Sequence, residues 1–453
     1  MKNYTAFSAY ASLAVVGLRM RQMKLWKTIE DHVQIPQKTI RHTPLEKLFD
    51  AFINILAGGR GLVEINTRLR PDRLLQRAFG RSACAEQSTV SQTLNRCTEQ
   101  TVAQMQEALT AIYRCHSQGF GHAYQKHIHL LDVDMTGLPA GSQGEGVSKG
   151  YFAGQRKRRG RQLGRVLATS YQEILVERLY QGSVQLEQCF QELVEAAETV
   201  LALQAEQRQR VILRVDGGAG RDADINWALG RGYHLIIKVK NWQRTHKLLG
   251  SVERWYEDPQ CARREFGWVE APHAYSKPTR QVATRQRKDD GTYVERVLVL
   301  SLSDAMLFEL AGQPYRKQAS PREVLLAAVK AYDLRGGGVE TSIKGSKQGL
   351  GLDKRNKQRF AAQEMLVLLA QLANNLMVWL RRLIERDRPE FCHWGMLRLV
   401  RDVGRISGKM KLDKRGRIVG IKLNKAHPLA AAFTEAFAPV LARDGVSLNL
   451  GKT

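Results

Sequence analysis

Three acidic side chains stand in settings where a carboxylate can do chemistry. Asp134 lies in the apolar run "HIHLLDVDM", Asp216 ends "RVILRVDGG", and Glu340 follows three glycines at the head of a helical stretch. Carboxylates at strand ends of an open sheet face a common crevice and can converge there. Oxygen ligands of that kind suit Mg²⁺, which accepts a few carboxylates and leaves its other positions to water and phosphate. Two such ions about 3.5 to 4 Å apart stabilise both the attacking and the leaving oxygen of a phosphodiester displacement. The three residues therefore outline a nuclease-type centre. Lys344 and Lys347 follow Glu340 at helical spacing, on the same helix face, where a plain solvated ion pair is the competing reading.

Neighbouring acids complicate the choice. Asp132 and Asp134 are two apart on a strand and so share a sheet face, and periodicity does not separate them. Asp222 and Asp224 read as first-turn helix carboxylates favoured by the helix dipole.

The elements that must position these groups alternate in type. Strands are expected at "HIHLLDVDM", "GRVLATSY", "EILVERLYQG", "RVILRVDGG" and "YHLIIKVK", with a helix of about six turns at "QLEQCFQELVEAAETVLALQAEQ" and a short one at "DADINWALGRG". This is an α/β pattern, a sheet with helices on it. Residues 241 to 331 break the rhythm with turn-rich stretches and one clear strand, "YVERVLVLSL", and read as a β-rich insertion. The resulting division is an N-terminal helical domain (1–120), a first core segment (121–240), the insertion (241–331), a second core segment (332–385) and a basic C-terminal region (386–453). Within the first domain, "EQSTVSQTLNRCT" has Ser88 as a candidate N-cap of a helix presenting Thr89, Gln92, Thr93, Asn95 and Arg96, a candidate helix-turn-helix. The C-terminal "GKMKLDKRGRIVGIKLN" reads as a hairpin around Lys414, Arg415 and Gly416.

Charge narrows the partner. The 453-residue chain carries 70 Lys and Arg against 44 Asp and Glu, a formal +26, which points to a polyanion and first to nucleic acid. The basic residues are spread in blocks through the chain, not along one amphipathic helix, which disfavours a membrane surface. The longest apolar run, 366 to 380, is interrupted by Gln371, Asn374 and Asn375, falls short of the roughly 20 residues a span requires, and reads as a buried helix. The apolar "TAFSAYASLAVVGL" near the start has a single preceding lysine and reads as a folded segment. Six scattered cysteines without a CxxC pair fit neither a zinc site nor a disulfide framework. "QRKRRGR" at 155–161 and "KRNKQR" at 354–359 are candidate phosphate contacts.

Together these features resemble the bacterial insertion-sequence transposases of the DDE class, whose ribonuclease-H-like core is interrupted by a β-rich insertion. The family's first aspartate sits in a D-x-T context, matched by "DMT" and so by Asp134; its second ends a strand, as Asp216 does in "LRVDGG". Its glutamate belongs to a Y-(2)-R-(3)-E-(6)-K signature. Tyr332, Arg335, Glu340 and Lys347 match it, with four residues in place of three before the glutamate. The resemblance covers roughly residues 45 to 385. It implies a fold of mixed sheet with flanking helices and an enzyme of cut-and-paste type that cuts DNA at element ends and joins the 3′-OH ends to target DNA. It further implies Asp134, Asp216 and Glu340 as holders of Mg²⁺, for which Mn²⁺ can substitute, and Tyr332, Arg335, Lys344 and Lys347 as DNA contacts. Double-stranded DNA, a homodimer or higher oligomer on that DNA, no membrane, and a bacterial cytoplasm with nucleoid association complete the expectation. The alternative is a non-catalytic, sequence-specific DNA-binding protein related to such enzymes.

Overall fold

The computed structural model describes residues 4–150, 152 and 158–452. Residues 155–157 of the "QRKRRGR" block lie outside the described residues, and Arg161 of that block is buried in a strand. The chain divides into two compact units, one of residues 1–117, 139–147 and 342–453, the other of residues 118–138 and 148–341. In chain order the strands are β1 (Tyr4–Ser8), β2 (His129–Pro139), β3 (Ser148–Lys149), β4 (Arg159–Ala168), β5 (Glu173–Gln181), β6 (Val211–Val215), β7 (His234–Lys238), β8 (Tyr256–Glu257), β9 (Arg264–Trp268), β10 (Arg280–Arg287), β11 (Tyr293–Leu300), β12 (Gly408–Leu412), β13 (Ile418–Asn424) and β14 (Ser447–Gly451).

In the second unit β2, β6 and β7 run parallel, with Leu131 opposite Leu213 and Val215 opposite Ile237. Every residue of β6, "VILRV", is buried, as expected of a parallel strand covered on both faces. β4 and β5 form an antiparallel pair beyond β2, so the order β5-β4-β2-β6-β7 gives the ribonuclease-H-like mixed sheet. The helix Leu186–Leu201 packs on β4 and β5. It is shorter than the six turns expected, because Ala202 turns left-handed (φ 51°) and closes it. Residues 241 to 331 extend this same sheet: β11 pairs antiparallel with β7, and β10, β9 and β8 follow outward. β10, "RQVATRQR", escapes a reading by apolar runs because its exposed end is polar throughout.

The helix Pro321–Asp333 closes that extension. Ser320 caps it through a reciprocal bond pair with Glu323, and Pro321 occupies the first turn, where its missing N–H is no loss. Its buried Val324, Leu325 and Ala328 join Phe266, Val282 and Leu298 in one apolar cluster, each large side chain worth roughly 1.5 to 3 kcal/mol on burial. That packing fixes where the helix ends, and therefore where Tyr332 and Arg335 stand.

The first unit is mostly helical. Its longest helix, Phe360–Glu385, is buried around most of its surface, and among the described residues no helix is long and apolar enough to cross a membrane. The helix Ala11–Gln22 buries Leu13, Ala14, Val15 and Val16, so the apolar start of the chain is folded. Two sequence expectations change here. Glu86, not Ser88, precedes the helix Gln87–Leu94, and Thr93 is turned inward, its hydroxyl donating to Gln37 at 2.6 Å. In "KRNKQR", Arg355 is buried and donates to the carbonyls of Gly59 and Leu350, so it is not open to phosphate, while the half-buried Lys357 donates to Ser91 Oγ at 2.7 Å and Lys354 and Arg359 are exposed. The C-terminal hairpin is present as β12 and β13, with Gly416 left-handed (φ 74°) in its turn.

Candidate active site

β2 resolves its two aspartates by partner. Asp132 is fully buried and accepts from Arg214 Nε at 2.6 Å, Arg214 Nη2 at 2.9 Å and the Val339 amide at 3.3 Å, so both its oxygens are engaged inside the unit. Asp134, two residues on, is nearer the strand end and partly accessible; its Oδ2 lies 3.0 Å from Arg335 Nη2. Asp216 follows β6 directly. Because β6 and β7 are in parallel register, the residue after Val215 meets the residue after Ile237, and Lys238 Nζ stands 2.9 Å from Asp216 Oδ1. Gly217 makes room for that lysine: a Cβ there would lie 2.7 Å from Lys238 Cε. On the same Asp216 oxygen the Tyr332 hydroxyl donates at 3.1 Å.

Glu340 arrives by an unusual turn. Residues Gly336–Glu340 form a π turn broken by a kink at Gly338 (φ −89°, ψ −112°) after the helix Pro321–Asp333, and the Thr341 hydroxyl donates to the Gly336 carbonyl at 2.7 Å. A π turn accommodates one residue more than an α turn, so the extra residue between Arg335 and Glu340 is taken up locally. Arg335 Nη1 pairs with Glu340 Oε1 across it. Gly338, the last of the triplet, packs against the Asp132–Arg214 pair: a Cβ there would lie 2.2 Å from Asp132 Oδ2, whereas Gly336 and Gly337 face open space.

Two of the three carboxylates, those of Asp134 and Glu340, thus pair with one guanidinium. Arg335 is only 5% exposed and spans Asp134 and Glu340, with Asp216 near enough to act on its charge. Burial pushes the Asp134 carboxyl up to about 6, against the pull of Arg335 and with the help of Asp216 and Glu340. Burial also acts upward on Asp216, but Lys238 and Arg335 outweigh it and hold that carboxyl down at about 2. Tyr332 is pushed up by burial and by Asp216, so it stays a hydrogen-bond donor.

An all-oxygen donor set of Asp134, Asp216 and Glu340 matches the chemistry of a hard divalent cation. Among the described residues, however, no group of three or more His, Cys, Asp or Glu side chains is disposed to hold a metal ion. Here the arginine lies between two of the donors, and its Nε is buried without a hydrogen-bond partner. The residues fit the ion in kind, provided Arg335 yields its place.

Of the residues singled out in the sequence, Asp134, Asp216, Glu340, Tyr332 and Arg335 lie together in the second unit. Tyr332 and Arg335, anticipated as DNA contacts, have their polar groups on the carboxylates. Lys344 and Lys347 lie on the helix Thr341–Gly349, most of which belongs to the first unit; Lys344 is exposed and Lys347 half-buried. Lys238 is not among the sequence candidates, although the paired strand ends "VILRVD" and "HLIIK" place it beside Asp216 once β6 and β7 are taken as parallel neighbours.

A ribonuclease-H-like sheet with acidic side chains on β2, directly after β6 and on the turn Gly336–Glu340 is the frame of a DDE enzyme. The model of the family described as "Transposase DDE domain group 1" matches residues 6–443, nearly the whole chain. The chain belongs to that family: it is a DNA transposase of the DDE class, a family that implies use of a divalent metal. Among solved structures it is similar to a piggyBac transposase synaptic complex with hairpin DNA, at 10% identity over 93% of this chain and 81% of that one, with a TM-score of 0.44. Comparison with curated proteins returned no match.

Proposed function

We propose that this transposase cleaves double-stranded DNA at the ends of a mobile element and joins the freed 3′-OH ends to target DNA, with Asp134, Asp216 and Glu340 as the catalytic carboxylates. The observation that carries the reading is that Asp134 on β2 and Glu340 on the turn pair with one guanidinium, whose charge Asp216 at the end of β6 also feels. Mg²⁺, or Mn²⁺ in its place, would be held by the three carboxylates and would supply stabilisation of the attacking and leaving oxygens.

The chain's own groups prepare the site. Lys238 keeps Asp216 ionised, and the Tyr332 hydroxyl fixes the direction of its carboxylate. Arg335 neutralises Asp134 and Glu340 at rest; on loading it gives them up and, with Tyr332, steers the DNA strand. Lys344 and Lys347 contact the DNA backbone. The protein works as a homodimer or higher oligomer on its DNA, in the bacterial cytoplasm at the nucleoid.

A paired assay of cleavage and binding on element-end DNA tests this. Glu340→Gln keeps size and removes one charge, so cleavage in Mg²⁺ falls by orders of magnitude while end binding survives. Calorimetric Mn²⁺ titration gives a readout independent of turnover: binding is weakened in the Asp134→Asn, Asp216→Asn and Glu340→Gln variants. Retained cleavage by Glu340→Gln would sink the assignment. A wild type that binds ends but neither binds Mn²⁺ nor cuts would leave the non-catalytic DNA-binding alternative.

A further inference from the structure

The first unit carries a four-stranded sheet in the order β1-β12-β13-β14. One of its faces is buried: Met410, Ile421 and Leu448 stand opposite one another across three strands, covered by the helix Ala430–Ala442 that packs on β13 and β14. The other face is open. The exposure of β12 alternates strictly, with Lys409 and Lys411 out and Gly408, Met410 and Leu412 in, and β13 adds the exposed Lys422.

Register places these lysines together. Phe7, Lys409, Lys422 and Asn449 form one row across the four strands, and Thr5, Lys411, Gly420 and Ser447 the next. Lys409 and Lys422 are directly opposite each other, an arrangement that destabilises a sheet. Neither row contains a carboxylate, and none of the three lysines makes an ion pair among the described residues. Between residues 408 and 425 there are seven Lys and Arg against a single acid, Asp413, which is taken by Arg417 at 2.9 Å. The turn between β12 and β13 also borders a groove of about 730 Å³ that Arg21, Lys24 and Arg77 line.

Like charges set face to face on an open, acid-free sheet are relieved by a polyanion. Three inter-strand spacings make the face about 14 Å wide, and its side chains repeat about 6.7 Å along each strand. Duplex DNA presents a denser array of charge than that, one per roughly 1.7 Å of axis, so several lysines can meet phosphates at once. Phe7, 58% exposed in the same row, is the one large apolar group among them, too little to anchor the face in a lipid layer.

We propose that this lysine face is a non-catalytic site for the phosphate backbone of double-stranded DNA, binding without regard to sequence. It rests on the reading that the enzyme acts on DNA, and gives the C-terminal region its role.

The test uses the full-length chain and a random-sequence duplex of about 30 base pairs, with Kd measured against salt. The triple variant Lys409→Gln, Lys411→Gln, Lys422→Gln is expected to bind at least about tenfold more weakly at moderate salt, and its log–log salt slope to shrink by up to about 2.7, or about 0.9 for each phosphate left without its lysine. Its Tm is expected to hold or rise, since the Lys409–Lys422 repulsion is gone. The triple Lys→Arg variant is expected to keep the wild-type slope; if it loses the slope as well, the effect is structural and the proposal fails. A steep wild-type slope matched by the Gln variant overturns the lysine face alone, whereas a flat wild-type slope overturns the DNA reading with it. Anionic phosphatidylserine vesicles form the last arm: vesicle binding abolished in the Gln variant, with duplex binding unchanged, would assign the face to a membrane instead.

Discussion

Gly338→Ala isolates what the glycine triplet is for. Its added methyl would lie 2.2 Å from Asp132 Oδ2, 3.1 Å from Thr169 Cγ2 and 3.2 Å from Arg214 Nη2. Asp132 and Arg214 cannot swing aside like a surface side chain, because both are buried and bonded to each other twice, and Arg214 also donates to the Ala331 carbonyl at 2.6 Å. Either the ion pair separates or the turn moves outward. Breaking a buried pair costs about 3 to 5 kcal/mol; moving the turn takes Glu340 away from Arg335 and costs activity instead. Gly336→Ala and Gly337→Ala meet no atom within 4 Å and should stay within about 1 kcal/mol of wild type. Urea unfolding followed by tryptophan fluorescence reports on both units, with four of the seven tryptophans, Trp227, Trp242, Trp255 and Trp268, in the unit that holds Gly338. The expected order is a clearly lowered midpoint, or cleavage lost at an unchanged midpoint, for Gly338→Ala alone. If Gly338→Ala matches Gly336→Ala in both midpoint and cleavage, contact with Asp132 is not what reserves this position for glycine.

The charge arrangement yields three further expectations. Arg335→Gln removes the cation lodged between Asp134 and Glu340, so Mn²⁺ without DNA should bind about tenfold more tightly, a gain of about 1.4 kcal/mol by calorimetry; equal or weaker binding would mean that Arg335 organises the carboxylates and does not compete for them. Lys238→Met removes the cation that does most to hold Asp216 at about 2, and carboxyl ¹³C NMR should find that group titrating higher; an unmoved titration contradicts the pairing. Asp134 is raised from 3.8 to about 6, so the folded state holds its proton more tightly than the unfolded chain: its contribution is complete below 3.8 and is lost as pH rises through 6, a loss of roughly 3 kcal/mol. Urea midpoints of wild type should therefore fall relative to Asp134→Asn between pH 4 and 6, and parallel profiles would rule the shift out.

Much of the frame was legible because it rests on patterns that burial imposes. The apolar runs of β2, β6 and β7 and the long apolar stretch inside Phe360–Glu385 could be read directly, and with them the place of Asp134 within its strand and of Asp216 at the end of its own. What stayed hidden depends on register and on partners distant in sequence. "KRNKQR" has the composition of a phosphate-binding stretch, yet Arg355 is spent on the carbonyls of Gly59 and Leu350, the former 296 residues away. Asp132 and Asp134 share one face by periodicity, and only Arg214, 82 residues on, takes the first and leaves the second. The signature region shows the same division. Spacing by itself marks the extra residue before Glu340 as a misfit, but the fold turns it into a π turn in which Gly338 rests on the Asp132–Arg214 pair and Glu340 still reaches Arg335. The buried aspartate bonded to Arg214 thereby packs against the turn that carries the glutamate proposed as a ligand, which is why both acids of "LDVDMT" bear on the same site for different physical reasons.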